Sequence, residues 1–435
     1  MKTERIIICG FLAVMFALVL VFTGCSLLMS AINKDALDAI SGAFGITNEQ
    51  SGHTASGTAN SGSPAQTTQF KFTLINNGTA YSVSKGTEIS GAVVIPATYN
   101  GKPVTEIGDK AFDGCENITG ITIPASITNF YLNSFNGCTS LTSITVAADN
   151  PNLSSEGGIL YNKTKTILYR ALEGGISATV TIPASVTTIG SYAFSGYTGL
   201  TSVTIPNNVT RIGAGAFSGC TNLASITIPA SVTDIENTLY NGPEIWFEGA
   251  FSGTAWLNSQ PDGLVYAGKV LYGYKGTMPA NTTINNIRAD TIAIAGGAFA
   301  ECGNLTRITI PASVRYICWQ AFSCSSINTS NLTTVIFERG SRLEIIDSDA
   351  FYGCTKLNSI TIPESVTSIG SGAFDHGGYG DRNFSITIPA SVTSVGSRAF
   401  GFWQPSQTIT IQGSTTGWDS RWNEYCYARI VYQGR

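Results

Sequence analysis

Apolar and polar residues alternate in short segments that recur along the chain from Phe70 onward. In the stretch IGSYAFSGYTGLTSVTIPNNVTRIGAGAFSGCTNLASITIPASVTDI, Phe194 and Phe217 are 23 residues apart. Phe112 and Phe135 are separated by the same 23 residues. A constant period of this length is typical of a solenoid, in which one turn of the chain is one repeat.

The segment Leu-x-x-Ile-Thr-Ile-Pro recurs in the repeats, as at residues 223–229. Its period of two predicts a short strand, with Ile226 and Ile228 facing inward and Thr227 facing outward. Proline lacks an N–H, so the ladder of strands ends there. The outward threonines form a polar face that either reflects β-propensity alone or serves as a broad docking surface. They are Thr122, Thr145, Thr181, Thr204, Thr227, Thr309, Thr361, Thr387 and Thr410.

A second apolar segment, Ser-Val-Thr-x-Ile-Gly, follows the proline, as at Val186, Ile189 and Gly190. The glycine permits a tight turn, and Phe194 is expected to fill the core. One turn cannot bury its own apolar face, so successive turns must stack, with parallel strands about 4.8 Å apart and one continuous apolar interior. The sequence therefore predicts a mainly β solenoid, with turns of about 23 residues, over residues 70–412.

Two segments interrupt the period, at 147–179 and 253–292. Each contains apolar alternation on both sides of a short turn, GGILYNKTKTILYRA in the first and DGLVYAGKVLYGYKG in the second, which is typical of a β-hairpin. We expect these hairpins to be insertions that decorate one flank of the solenoid. The atypical segments 70–83 and 413–435 are expected to cap the ends, where strand edges would otherwise be unpaired.

The first residues have the pattern of a secretory signal peptide. Lys2 and Arg5 precede an apolar run over residues 6–22, and Thr23-Gly24-Cys25 follows. A retained membrane helix is the alternative interpretation of this run. The segment resembles a bacterial lipoprotein signal, although Phe22 stands where that signal usually has Leu, Val or Ile.

The lipoprotein resemblance implies that residues 1–24 are removed and that Cys25 carries the lipid that attaches the chain to the membrane. Ser26, in place of an aspartate, favours the outer membrane. Residues 25–69 are then a lipidated cysteine followed by a tether rich in Gly, Ser and Thr, which has too few apolar residues to build a core.

Composition argues against several classes of function. The formal net charge is −4 and charged residues are 12% of the chain, so no basic surface for nucleic acid is expected. With His53 and His376 as the two histidines, we expect no metal site, no cofactor and no catalytic residue. Glycoside cleavage needs only paired carboxylates, so Glu244, Glu248 and Asp262 keep a carbohydrate-active enzyme as an alternative.

Five of the ten cysteines follow a repeat phenylalanine by three residues and are interpreted as small buried packing residues. They are Cys115, Cys138, Cys220, Cys302 and Cys354. Tyr197 and Trp403 occupy the same position in other repeats. Among the remaining cysteines, the spacing favours a Cys318–Cys324 disulfide, with Cys426 as another partner, but it does not fix the pairing.

The repeat resembles the BspA-like class of leucine-rich repeat, whose unit is Leu-x-x-Ile-x-Ile-Pro-x-x-Val-x-x-Ile-Gly-x-x-Ala-Phe-x-x-Cys. The similarity covers residues 95–411 and departs in the second repeat, where Asn129-Phe130 stands for Ile-Gly. Ten phenylalanines keep the phase: Phe112, Phe135, Phe194, Phe217, Phe251, Phe299, Phe322, Phe351, Phe374 and Phe400. This class is found largely as bacterial surface or secreted proteins, and some members are adhesins, so the resemblance implies binding.

The sequence thus favours a surface-exposed lipoprotein that acts as a protein- or glycan-binding module and is not an enzyme. The expected partners are a host extracellular-matrix protein, a glycan or a neighbouring cell surface, with the lipid in the membrane. Trp246, Phe247 and Trp256 are the candidate ligand contacts, because aromatic side chains dominate binding hot spots. A carbohydrate-active β-helix enzyme and a passive envelope spacer are the alternatives.

Overall fold

The computed structural model describes residues 69–87, 89–237, 249–325, 329–377 and 384–433. The expected signal peptide, Cys25 and nearly all of the expected tether lie outside these ranges, as do Trp246 and Phe247. Within the described ranges, no helix is both long and apolar enough to cross a bilayer.

Short strands account for most of the regular structure. The first eleven are β1 (Phe70–Ile75), β2 (Ala80–Lys85), β3 (Gly91–Val94), β4 (Thr98–Tyr99), β5 (Lys102–Ile107), β6 (Ile118–Ile123), β7 (Asn129–Phe130), β8 (Ser143–Val146), β9 (Leu153–Glu156), β10 (Ile159–Asn162) and β11 (Ile167–Ala171). The next ten are β12 (Thr179–Thr181), β13 (Thr188–Ile189), β14 (Ser202–Thr204), β15 (Arg211–Ile212), β16 (Ser225–Thr227), β17 (Asp234–Ile235), β18 (Gly263–Ala267), β19 (Val270–Lys275), β20 (Thr282–Ile284) and β21 (Ala293–Ile294).

The last nine strands are β22 (Leu305–Ile310), β23 (Tyr316–Ile317), β24 (Thr334–Phe337), β25 (Ile345–Ile346), β26 (Ser368–Ile369), β27 (Ser385–Ile388), β28 (Ser394–Val395), β29 (Thr408–Ile411) and β30 (Arg429–Tyr432). The helical elements whose bounds lie in the described ranges are the α-helix α1 (Ala255–Ser259) and three single 3-10 turns. The 3-10 turns are Asn76–Gly78, Leu132–Phe135 and Glu173–Gly175.

The Ile-Thr-Ile segments form one ladder of parallel strands, as the alternation predicts. Val203 of β14 is aligned with Val180 of β12 and Ile226 of β16. Val203 is buried and its neighbour Thr204 is exposed. This ladder is divided into three-stranded sheets, in the orders β3-β6-β8, β12-β14-β16, β20-β22-β24 and β27-β29-β30.

The Thr-x-Ile segments form a second parallel ladder on another side of each turn. Ile189, Ile212 and Ile235 are aligned in β13, β15 and β17, and all three are fully buried. The two ladders together confirm a mainly β solenoid with leucine-rich-repeat turns of about 23 residues.

The repeat phenylalanines stack along the interior. Phe194 and Phe217 are nearly parallel, with ring centroids 5.1 Å apart. The stacked runs are Phe112 with Phe135; Phe194, Phe217 and Phe251; and Phe299, Phe322, Phe351, Phe374 and Phe400. The breaks between runs fall at the two hairpins. At the second break, Tyr272 lies 5.4 Å from Phe251.

Both hairpins are present, but the expectation that they decorate a flank is wrong. β11 pairs antiparallel with β10 and parallel with β13, which aligns Leu168 with Ile189. β19 pairs antiparallel with β18 and parallel with β21, which aligns Leu271 with Ile294. Leu168 and Leu271 are fully buried. The second strand of each hairpin therefore replaces the Thr-x-Ile strand of its turn and belongs to the ladder.

The apolar interior consists of two clusters, so the expectation of one continuous core is also corrected. One cluster contains buried residues from Phe70 to Leu172, and the other contains buried residues from Ile159 to Trp422. Leu160 of β10 packs into the first cluster, whereas Tyr161 packs into the second. Because alternate residues of a strand face opposite sides, the first hairpin separates the two cores.

Candidate binding groove

The repeat that departs most from the motif contains β7. Parallel pairing aligns Glu106 with Asn129 and Ile107 with Phe130. Phe130 therefore occupies the isoleucine position of the motif, and Tyr131 occupies the glycine position. The sequence analysis had placed Asn129 and Phe130 at these two positions, which is wrong by one residue. Tyr131 is 47% exposed. A large aromatic side chain thus faces solvent where the repeat motif has glycine.

β7 lies beside an opening between two sheets. Among the described strands it pairs only with β5, and the neighbouring sheet begins with β9. A groove of about 730 Å³ occupies this opening, and we call it the junction groove. Its lining includes the aromatic residues Phe130, Tyr131 and Tyr169 and the amides Asn129, Asn152 and Asn162.

The floor of the junction groove is apolar. The rings of Phe130 and Tyr169 meet edge to face, with centroids 5.1 Å apart. Leu153 is buried beside them. Burial raises the pKa of the Tyr169 phenol, which favours its protonated form.

One wall is braced by a buried amide. Asn150 donates from its side chain to the carbonyl oxygens of Pro124 at 2.9 Å and Ile127 at 2.8 Å. Its side-chain oxygen accepts the backbone N–H groups of Asn152 at 2.9 Å and Leu153 at 2.8 Å. Because this amide is fully paired inside the protein, the wall is fixed before any ligand arrives.

The opposite wall is the turn of the first hairpin. The side-chain oxygen of Asn162 accepts the N–H groups of Thr166 at 2.8 Å and Ile167 at 2.9 Å. The Lys163 N–H donates to the Asn152 carbonyl at 2.7 Å, and its ammonium donates to the Ala148 carbonyl at 2.8 Å. The hairpin turn and the Asn150 wall are therefore joined by hydrogen bonds.

The chemistry of the junction groove suits an amphipathic ligand. Asn129 and Tyr131 are both exposed, and two residues of separation place their side chains on the same face of the strand. Among the lining residues, Glu106 and Lys163 are the charged ones. An exposed ring beside amide and hydroxyl groups on a rigid frame offers both apolar contact and hydrogen bonds.

Trp256 contributes to packing in the structure. It lies in α1, whose N-terminal Thr254 accepts the Leu257 N–H at 3.1 Å. The Trp256 ring is half-buried, with its centroid 4.8 Å from that of Phe251 and 6.4 Å from that of Tyr272. These contacts account for the residue without a ligand. Of the other candidate contacts, Trp246 and Phe247 lie outside the described residues.

The threonine face is present but interrupted. All nine threonines are exposed or half-buried. Thr122 is aligned with Thr145, and Thr387 with Thr410. Thr309 is aligned instead with Ile336, which is one of the apolar residues on this face. The face therefore consists of short polar runs and offers no continuous threonine surface.

Of the five motif cysteines, Cys138, Cys220 and Cys354 direct their thiols at a phenylalanine carbonyl oxygen of the preceding turn. The Cys220 thiol lies 3.1 Å from the carbonyl oxygen of Phe194 in the preceding turn, and the Cys354 thiol lies 3.3 Å from that of Phe322. Burial raises the pKa of Cys354 to about 12, so it remains a thiol. These contacts agree with a packing role and add a hydrogen bond to it.

The favoured Cys318–Cys324 bridge is not formed. Both residues carry free thiols. The Cys318 sulfur lies 3.6 Å from the carbonyl oxygen of Thr233, whereas the Cys324 sulfur lies 2.7 Å from the hydroxyl of Thr329. The two side chains thus point to different neighbours, and closeness in sequence was a poor guide to the pairing. Cys426 is also free.

The described residues contain no group of three His, Cys, Asp or Glu side chains that could hold a metal ion. His376 lies 2.9 Å from the Asp375 carboxylate and is remote in sequence from the junction groove. Asp262 is exposed, while Glu244 and Glu248 lie outside the described residues. Within the groove, Glu106 is the carboxylate among the lining residues, so this site lacks the acidic pair that glycoside cleavage requires.

The ladders and the groove define a leucine-rich-repeat solenoid with a potential binding site at a break in its repeat. A model of the BspA type leucine rich repeat region matches in six copies, at residues 105–245, 280–377 and 328–428. These matches cover more than half of the chain, and the protein belongs to this family. No curated protein sequence matches the chain.

Solved structures of leucine-rich-repeat proteins are similar at low identity. A protein from Eubacterium ventriosum is 25% identical, with a TM-score of 0.31, and the match covers 71% of this chain and 64% of that one. A cell surface protein from Faecalibacterium prausnitzii is 24% identical, with a TM-score of 0.30 and coverage of 88% and 96%. One from Bacteroides ovatus is 21% identical, with a TM-score of 0.30 and coverage of 84% and 98%.

Proposed function

We propose that this chain is an adhesion-type binding module that holds a protein or glycan partner in the junction groove. The observation that carries the proposal is Tyr131, a large ring that is 47% exposed at the glycine position of the repeat. A ring this exposed at the glycine position is not accounted for by burial in the core. Exposed tyrosines on rigid frames are frequent anchors in binding interfaces.

The family supports this function, because leucine-rich-repeat solenoids typically present extended surfaces for binding. The rigid walls around Asn150 and Asn162 support it further, since a preformed site loses little conformational freedom when its partner binds. The proposal does not need catalysis, and we infer that the chain is a binding protein without enzymatic activity.

In this proposal the module is displayed on the cell surface. Residues 1–24 act as a lipoprotein signal, Cys25 carries the lipid, and the segment up to residue 69 is the tether. The partners are an extracellular-matrix protein, a glycan or a neighbouring cell surface. Replacement of Cys25 by alanine should release the protein from the membrane fraction, and recovery of that variant in the membrane fraction would contradict lipid attachment.

Binding can be tested with the purified protein against immobilised matrix proteins, a glycan array and intact cells. Tyr131→Ala should reduce any binding by about tenfold, the loss expected when an anchor residue worth about 1.4 kcal/mol is removed. Tyr427→Ala is the matched control, because Tyr427 is also exposed, at 60%, but lies near the other end of the chain. Equal losses in both variants, or no binding at all, would refute the function assigned to the groove.

A further inference from the structure

The ladder of Ile-Thr-Ile strands opens after β24. Thr334 forms a parallel bridge with Ser359, and the Val335 N–H donates to the Ser359 carbonyl at 2.9 Å. Beyond this point, residues 360–362 form no backbone hydrogen bond with a described residue. The corresponding residues of β27 are paired with β29. One turn therefore leaves strand-like backbone unpaired.

The connection after β24 is longer than the one after β22. Parallel pairing aligns Val335 with Ile308 and Phe337 with Ile310. β22 is followed by Pro311, and the chain returns to the core at Val314. β24 is followed by Glu338, and the chain returns to the core only at Leu343. Phe337 is half-buried, but Ile310 is 1% exposed. The longer connection and the half-buried Phe337 coincide with the place where the ladder opens.

The unpaired groups face one another. Ser359 donates its N–H to the Thr333 carbonyl at 3.1 Å and accepts the Val335 N–H, so both of its backbone groups point toward β24. Alternate residues of a strand direct their backbone groups to the same side, so the groups of Thr361 also point toward β24. By the same rule, those of Phe337 point toward Thr361. A groove of about 450 Å³ separates the two segments, and we call it the edge groove.

The side chains that line the edge groove differ from those at the same positions of the repeat motif. Ile336 is 37% exposed at a position where the aligned residue of β22 is Thr309. Glu338 and Glu364 line the groove and are exposed. Neither glutamate is in an ion pair with another described residue. The Glu338 carboxylate accepts the Ala312 N–H at 3.3 Å. The groove therefore combines an apolar contact with two carboxylates that have no described ion-pair partner.

We propose that the edge groove binds an extended segment of a partner protein by strand addition. The backbone of the segment pairs with Phe337 and Thr361, a β-branched side chain covers Ile336, and basic residues neutralise Glu338 and Glu364. Only a polypeptide offers amide N–H and carbonyl groups at the repeat of a strand, so the unpaired backbone selects this class of ligand over a glycan. This site is separate from the junction groove, and it stands whether or not that groove binds anything.

The probe is the fluorescent peptide Lys-Thr-Val-Thr-Val-Thr-Lys, titrated with the full chain and followed by fluorescence polarisation. We expect saturable binding. Two further peptides have the same side chains but are N-methylated, one at the odd and the other at the even positions. N-methylation removes backbone N–H donors and keeps the side chains, so these peptides distinguish backbone pairing from side-chain contact. At least one of them should bind about tenfold more weakly, since the loss of one or two hydrogen bonds costs about 1.4 kcal/mol. Equal affinity of all three peptides, or no binding at millimolar concentration, would overturn the proposal.

Variants of Thr361 provide the complementary test. Thr361→Pro removes an N–H that is unpaired among the described residues, so the fold should persist and peptide binding should fall about tenfold. Thr361→Val keeps the N–H and should bind within about twofold of the wild type. Circular dichroism checks folding of both variants, and the N-methylated peptides decide the question if Thr361→Pro unfolds. Maltohexaose is the glycan probe. If the protein binds maltohexaose but not the peptide, and Ile336→Ala loses this binding, the groove is a glycan site and strand addition is refuted.

Discussion

The indole N–H of Trp403 donates to the carbonyl oxygen of Phe374 in the preceding turn, at 2.8 Å. The Cys220 thiol makes the equivalent contact with Phe194, at 3.1 Å. Cysteine and tryptophan differ greatly in size, yet they occupy the same position of the repeat. In these two repeats the shared property is a buried donor aimed at the phenylalanine carbonyl of the preceding turn.

Trp403→Phe removes this donor and keeps an aromatic ring. The free energy of unfolding should fall by about 1–3 kcal/mol, because a buried hydrogen bond is lost and a small void remains. Urea denaturation followed by circular dichroism measures the change. Trp256→Phe is the control, because Trp256 is half-buried and its contacts are with other rings, and its loss should be smaller. A larger loss for Trp256→Phe than for Trp403→Phe would contradict the donor role.

Thiol labelling tests the state of the cysteines. Burial raises the pKa of Cys354 to about 12, and the thiolate is the reactive form, so Cys354 should resist alkylation at pH 8 in the folded protein and react in urea. Cys318 and Cys324 should also be recovered as alkylated peptides without prior reduction, because both are free thiols. Mass spectrometry of the digested protein separates the outcomes. A peptide pair joined through Cys318 and Cys324 would show that the bridge forms after all.

Gly190 tests how closely neighbouring turns approach. A Cβ atom at this position would lie 2.8 Å from the carbonyl oxygen of Leu168 in the first hairpin. Gly190→Ala should therefore destabilise the protein by about 1–3 kcal/mol, the usual cost of overpacking. Gly120→Ala is the matched control, because its Cβ would meet only ordinary contacts, beginning at 3.6 Å from Ala92. Thermal unfolding compares them, and equal melting temperatures would refute the steric explanation.

The same glycine illustrates what the sequence could predict. From the motif, Gly190 was expected to permit a tight turn. The backbone at Gly190 is not left-handed, so the turn does not require glycine there. Glycine is required because the Leu168 carbonyl oxygen leaves no room for a Cβ atom. Local alternation correctly predicted the strands and the two hairpins. The parallel pairing of Leu168 with Ile189 joins different turns of the chain, so local alternation could not place the hairpin in the ladder.

The junction groove was missed for a related reason. A departure from the motif around Phe130 was visible in the sequence, but no binding role was assigned to it. Tyr131 lines a groove because no described strand pairs with β7 on its other side. That pairing depends on how the sheets assemble and cannot be inferred from the local sequence. Trp256 was chosen because tryptophan is frequent in hot spots, and its packing on Phe251 could not be inferred from residue type. An outsized residue at a glycine position was the more informative signal.

Asp234 gives a prediction about pH. Burial raises the pKa of its carboxyl from 3.8 to about 6, although the nearby Arg211 opposes the change. The folded protein then holds this proton more tightly than the unfolded chain, so the contribution of Asp234 to stability decreases as pH rises from about 4 to about 6. Asp234→Asn cannot ionise, so its stability relative to the wild type should increase over that range.

Urea denaturation of both proteins at several pH values between 4 and 7.5 measures this difference. Glu236, Asp347 and Cys318 also act on the Asp234 carboxyl and are present in both proteins, so the comparison isolates one group. Asp290→Asn is the control, because the pKa of Asp290 is shifted in the opposite direction. The Arg288 side chain lowers the pKa of Asp290 by a hydrogen bond. Its stability relative to the wild type should stay level or decrease as pH rises. If the Asp234→Asn difference shrinks as pH rises, the carboxyl is stabilised by Arg211 more than it is destabilised by burial.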